Sequence, residues 1–107
     1  MKAVREKGVK VTLVTGRPLV SALPFAKLLN LDLPLITYNG ACISSYPEGQ
    51  IIEKTPISMD VAREMFGELE DAGYYVKVYI EDTLYVEETT RAAIEFSGIF
   101  AIPFVID

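Results

Sequence analysis

Apolar residues fall in short blocks along the chain, and the spacing inside the blocks switches between two and three or four. Val9 to Thr15 (VKVTLVT) alternates at first, then turns continuously apolar and rich in β-branched residues, which predicts a buried strand. A helical stretch precedes it and another follows, so this strand is expected to run parallel to its neighbour. Gly16-Arg17-Pro18 ends it. From about Leu19 to Leu29 the pattern is helical, with Leu23, Ala26 and Leu29 on one side, and Pro24 predicts a kink or a late helix start. Leu33 to Tyr38 reads as a second strand, and Asn39-Gly40 as a turn. Ala41 to Ser45 and Gln50 to Lys54 then form a hairpin around Pro47-Glu48-Gly49.

Thr55-Pro56 reads as a linker. Ser58 is a good helix N-cap, and Asp60 suits the positive end of the helix dipole. Val61, Ala62, Met65, Phe66, Leu69 and Ala72 make one apolar stripe of an amphipathic helix that closes at Gly73. Tyr74 to Ile80 is a strand, Glu81-Asp82-Thr83 turns it into a short strand over Leu84 to Val86, a helix follows over about Glu88 to Ser97, and Phe100 to Ile106 is a last strand. The order predicts an α/β chain: a βαβ unit with a hairpin over residues 1–54, and a separate αββαβ block over residues 55–107. The ends read as cut. Met1 to Lys7 looks like the last turns of a helix stopped by Gly8, too short to hold alone, and the apolar run Phe100 to Ile106 stops at Asp107 with no polar tail. The chain therefore reads as a piece of a longer polypeptide.

Composition narrows the function classes. The chain has 107 residues, half of them apolar and 23% charged, as in a soluble globular domain rather than a disordered one. No apolar run approaches the roughly 20 residues of a membrane helix, and no basic leader opens the chain, so a cytoplasmic setting and no membrane partner are expected. The net charge of −5 argues against a nucleic-acid partner, whose phosphate backbone calls for a basic face. It leaves room for a small anionic substrate beside a local cation. There is no histidine, which excludes Ser-His and Cys-His nucleophile pairs and histidine metal sites within the chain. The single cysteine, Cys42, excludes an intrachain disulfide and reads as a small core residue.

The segment that carries chemistry is Thr15-Gly16-Arg17, where an apolar strand ends just before a helix. Open α/β sheets bind ligands outside the carboxyl ends of their strands. There the Thr15 hydroxyl and neighbouring amides are suited to a phosphoryl oxygen, Gly16 permits close approach, and Arg17 offers a planar fork to the same anion or to the substrate body. Without further context this is an ordinary strand-to-helix turn, just as Asn39-Gly40 is by default a hairpin turn. Tyr74, Tyr75, Tyr79 and Tyr85 are suited to a cleft, although packing between strand and helix is their commoner use. Glu68, Glu70, Asp71, Glu87 and Glu88 read as solvated faces and caps.

Three motifs in order give this reading a context. KVTLVTGRP resembles the second motif of Cof-like phosphatases of the haloacid dehalogenase (HAD) superfamily, in which a strand-end threonine or serine binds the transferred phosphoryl group. Pro34 to Ala41 (PLITYNGA) resembles the family's strand closed by Asn-Gly at the rim of the active site. Tyr79 to Val86 (YIEDTLYV) resembles the first strands of its α/β cap. The resemblance implies a partial Rossmann-like core over residues 1–54 and part of an α+β cap over 55–107. It also implies a Mg²⁺-dependent phosphatase of small phosphomonoesters such as sugar phosphates, acting through an aspartyl-phosphate. Thr15 carries over as the phosphoryl-binding residue, and Gly16, Arg17, Asn39 and Gly40 as substrate-binding ones.

The family's Asp-x-Asp pair and its later lysine and metal-binding aspartates have no counterpart in this sequence, and Asp107 after Phe-Val-Ile lacks the second aspartate. The expectation is that this polypeptide alone binds no metal and has no phosphatase activity, because the covalent route needs that nucleophile. The competing reading is a non-catalytic interaction module, or a relic that forms homodimers through exposed strand edges. A nucleotide-binding Rossmann module has little support, since no G-x-G-x-x-G or P-loop is present.

Overall fold

The structure is a computed structural model that describes residues 2–86 and 104–106. The chain divides into two compact units, Met1–Thr55 and Pro56–Asp107.

The first unit opens with α1 (Lys2–Glu6), which buries no residue. So short a helix has little stability of its own, and Arg5 ties it down by bonding the Asn30 carbonyl and pairing with Asp32 at 3.1 Å. The stretch from Val9 to Thr15 that reads as a buried strand is not a regular one. It pairs with β1 (Leu35–Thr37) in parallel through a single bridge, Val14 to Ile36. The Thr15 amide donates to the Ile36 carbonyl at 2.9 Å, and the Ile36 amide donates to the Leu13 carbonyl at 3.0 Å. The direction is the expected one. The burial is not: Val11 and Leu13 pack inward, while Val14 is 66% exposed on the other side. β-branched composition reports a pleated conformation, and it cannot report whether the second face is covered.

Helix α2 (Leu19–Leu28) follows at Pro18. Pro24 lies inside it and neither delays its start nor ends it, although it removes one donor from the ladder. Ser21, Ala22 and Ala26 face inward. Ala26, Leu31 and Leu35 form the centre of the unit's core, with Val11, Leu13, Leu19, Leu23, Leu29 and Tyr46 packed around them. Beyond β1 the sheet is antiparallel. β2 (Cys42–Ser44) pairs with β1 in the register Leu35 to Ser44 and Thr37 to Cys42, and β3 (Ile51–Lys54) adds to β2 with a register shift at Ile43/Ser44. The expected hairpin is thus present. Its turn is closed by the Ser45 amide on the Gln50 carbonyl at 2.8 Å and the Gln50 amide on the Ser45 hydroxyl at 3.1 Å. Cys42 is buried within β2, as a small core residue should be.

In the second unit, α3 (Met59–Asp71) begins where the Ser58 hydroxyl accepts from the Val61 amide at 3.4 Å. Its apolar stripe is less covered than the periodicity implies. Ala62, Phe66 and Leu69 are half-buried, while Val61, Met65 and Ala72 are exposed. Helical period fixes which side is apolar and says nothing of how much of that side is covered. The strand expected from Tyr74 begins only at Lys77. β4 (Lys77–Ile80) and β5 (Thr83–Val86) form a two-residue hairpin in which Glu81 and Asp82 are both left-handed, as a twisted ribbon requires. β6 (Phe104–Ile106) pairs with β5 in parallel. Leu84 and Val86, two apart on β5, are buried together. The helix expected over Glu88 to Ser97, with Glu87, and the start of the strand expected from Phe100 lie outside the described residues. Among the described residues no helix is long and apolar enough to cross a membrane.

Candidate functional site

Two loops at adjacent strand ends of the first unit are joined by their backbones. The Asn39 amide donates to the Thr15 carbonyl at 3.0 Å, and the Tyr38 amide donates to the Arg17 carbonyl at 3.1 Å. These bonds continue the parallel pairing of Leu13–Thr15 with β1 past the end of the sheet. They bring Thr15, Gly16 and Arg17 beside Asn39, at the carboxyl ends of two parallel-paired segments.

The loop between β1 and β2 has unusual backbone. Tyr38 and Asn39 both have positive φ, 51° and 56°, and Gly40 has 99°. Asparagine tolerates that region, whereas for tyrosine it costs of order 1–3 kcal/mol and persists only when the surroundings enforce it. Here the bond from the Tyr38 amide to Arg17 is such a restraint. The Asn-Gly pair is therefore not a two-residue hairpin turn: a four-residue loop joins Thr37 to Cys42. Gly40 faces open space and serves the backbone path.

Gly16 has a different role. A Cβ built there meets the Asn39 Oδ1 at 2.8 Å and the rest of that carboxamide at 3.4 Å. What approaches Gly16 closely is the Asn39 side chain, which a larger residue at position 16 displaces. Thr15 is half-buried, and its Oγ1 accepts from the Arg17 amide at 3.1 Å. That bond occupies an acceptor lone pair. The hydroxyl proton is donated to no described residue, which leaves Thr15 oriented as a donor. The Arg17 guanidinium runs along α2: its Nη1 donates to the Ser21 hydroxyl at 3.0 Å, and its Cζ lies 4.8 Å from the centroid of the Phe25 ring. Ser21 and Phe25 do not stand out in the sequence. The signal available was spacing, since 17, 21 and 25 follow at four-residue intervals across the start of a helix.

These two loops carry one hydroxyl, one guanidinium and one carboxamide. They contain no carboxylate, and among the described residues no three His, Cys, Asp or Glu side chains converge in a way that fits a metal ion. In the second unit Tyr79 and Tyr85 are half-buried on the hairpin, and Tyr74 and Tyr75 are exposed. Burial pushes the Tyr79 phenol above its ordinary pKa.

Comparison with known proteins defines the class. The haloacid dehalogenase-like hydrolase family matches residues 1–100, and the chain belongs to that family, in the Cof-like subgroup that its motifs resemble. Among individual relatives, the pyridoxal phosphate phosphatase YbhA of Escherichia coli is 30% identical over 94 residues, which cover 88% of this chain and 35% of that protein. A HAD phosphatase structure from Bacteroides thetaiotaomicron is similar at a TM-score of 0.72 and 25% identity, over 99% of this chain and 39% of that one. A structure of a subclass IIB sugar phosphatase is similar at a TM-score of 0.73 and 24% identity, over 98% of this chain and 42% of that one. The α/β fold of the chain is the family's fold. The chain spans about a third of the length of its relative YbhA.

Proposed function

We propose that this sequence is the phosphoryl-binding portion of a phosphatase that acts on small phosphomonoesters such as sugar phosphates. In this reading residues 1–54 are part of the catalytic core and residues 55–107 part of an α/β cap. The activity of one relative, a pyridoxal phosphate phosphatase, supports the phosphomonoester class. The observation that carries the reading is the Thr15 hydroxyl, which sits just past the Val14–Ile36 bridge, has its acceptor side engaged by the Arg17 amide and has its proton uncommitted among the described residues. A transferring phosphoryl group is stabilised by fixed donors aimed at its oxygens. Thr15 supplies one, and Gly16 lets the Asn39 carboxamide sit beside it. Arg17 adds positive charge in a chain of net charge −5. Gly40 sets the loop that carries Asn39.

Family chemistry calls for Mg²⁺ and an aspartate nucleophile. The Asp-x-Asp pair occurs nowhere in this sequence, and the residues at Thr15 and Asn39 make no metal site. The metal and nucleophile would come from carboxylates outside these 107 residues, so the isolated chain has no turnover. The test uses two proteins, the polypeptide of the whole reading frame and the 107-residue chain. With Mg²⁺ and p-nitrophenyl phosphate, the first turns over, and Thr15→Ala lowers its kcat about 100-fold, the scale for losing one preorganised donor. The second gives no turnover. Unchanged kcat in Thr15→Ala overturns the role of Thr15, and metal-dependent turnover by the isolated chain overturns the claim that it lacks the catalytic groups.

A further inference from the structure

Ser21 is a hydroxyl in an apolar setting. It is 2% exposed on α2, and its inward-facing neighbours there are Ala22 and Ala26. A buried hydroxyl is costly unless it has a partner, and its partner is the Nη1 of Arg17 at 3.0 Å. Farther along the same helix the Phe25 ring, 44% exposed, lies under the guanidinium with its centroid 4.8 Å from Cζ. A hydrogen bond fixes the guanidinium within its plane, and a ring beneath it fixes the plane itself. Two restraints of different kind on one side chain leave it little rotational freedom.

We infer that Ser21 and Phe25 are positioning residues that hold the Arg17 guanidinium as a preset fork for the substrate's anion. The inference rests on the phosphoryl-binding reading above and extends it to residues that touch neither Thr15 nor Asn39 in any described contact. An arginine ordered before binding loses less freedom when an anion arrives, so the effect falls on affinity. A purely structural role, in which Arg17 only braces α2, leaves anion affinity untouched.

The experiment is an orthophosphate titration of the ¹⁵N-labelled chain, followed at the Thr15 and Gly16 amides, with the Arg17 Nε–H signal reporting side-chain order. Ser21→Ala and Phe25→Leu are each expected to weaken phosphate binding about fivefold, the scale of one modest charge-assisted contact, and to speed guanidinium rotation at Arg17. Phe25→Tyr, which keeps the ring, retains wild-type affinity. Arg17→Lys cannot use the fork, so adding Ser21→Ala to it causes no further loss. If Ser21→Ala loses its dispersed amide spectrum, Phe25→Leu and Phe25→Tyr carry the test. Equal affinity and unchanged Arg17 dynamics in the variants overturn the positioning role while the phosphoryl reading stands. A wild-type chain whose Thr15 and Gly16 amides do not respond to phosphate overturns that reading and this inference with it.

Discussion

Both units leave large apolar side chains in the open, but the first also buries polar side chains and gives each a partner, whereas among the described residues of the second only apolar ones are buried. Ser21, Thr37 and Ser44 are buried at 0–2% exposure. They meet Arg17, the Cys42 carbonyl and the Cys42 thiol respectively. No buried side-chain polar atom among the described residues lacks a partner. In the second unit the fully buried side chains among the described residues are Leu84 and Val86, while Met59, Val61, Met65, Tyr74 and Ile80 are exposed. Buried polar networks specify one arrangement, because a half-satisfied network is costly. The contrast suits a first unit that must hold a few donors in place.

The comparison breaks most easily at the cores. Leu35 is fully buried at the centre of the first unit, and Leu35→Ala is expected to cost about 2–5 kcal/mol. Met65 is 44% exposed, and Met65→Ala should cost under about 1 kcal/mol. Urea unfolding of both variants decides the matter: equal losses mean that the α3 stripe is covered. A smaller effect is expected at Gly16. Gly16→Ala brings a methyl within 2.8 Å of the Asn39 carboxamide, and because Asn39 is exposed it swings aside at a cost of about 1 kcal/mol. The Asn39 side-chain amide resonances should move while the core methyls of Leu35 stay in place.

The smallest effect lies in the second unit. The phenol of Tyr79 is raised by burial, so the folded state keeps its proton longer than the unfolded state, whose value is near 10.0. Its contribution to stability is complete below that pH and is lost as the pH rises through the folded value. Tyr79→Phe should flatten this alkaline decline without altering stability at neutral pH by way of ionisation. An identical alkaline slope in the variant removes Tyr79 from the account.

Much of this was legible in the residues. Turn chemistry placed the Pro47-Glu48-Gly49 hairpin, Ser58 placed the start of α3, and the order of elements gave a parallel pairing next to β1. What failed were the Asn39-Gly40 turn type, the start of β4 and, above all, statements about coverage. The Val9–Thr15 segment has the composition of a strand buried on both faces, yet Val14 lies open, because the neighbour that covers a face is set by tertiary context. The same limit applies to the α3 stripe. At the site, Thr15, Gly16, Arg17 and Asn39 could be singled out by motif, and their adjacency follows from the parallel bridge. The contact between Gly16 and the Asn39 carboxamide could not be read, since it depends on left-handed backbone at Tyr38 and Asn39. Nor could the packing of Arg17 on Ser21 and Phe25, which needs a rotamer as well as a spacing.

Everything functional here depends on where the Thr15 hydroxyl points. A crystal structure of the whole-reading-frame protein with orthovanadate bound tests it directly. Thr15 Oγ1 is expected about 2.7 Å from a vanadate oxygen, the usual length of an O–H···O bond, with Arg17 still donating its amide to the other side of Oγ1. Vanadate bound elsewhere, or a Thr15 hydroxyl turned into the packed core, contradicts that expectation.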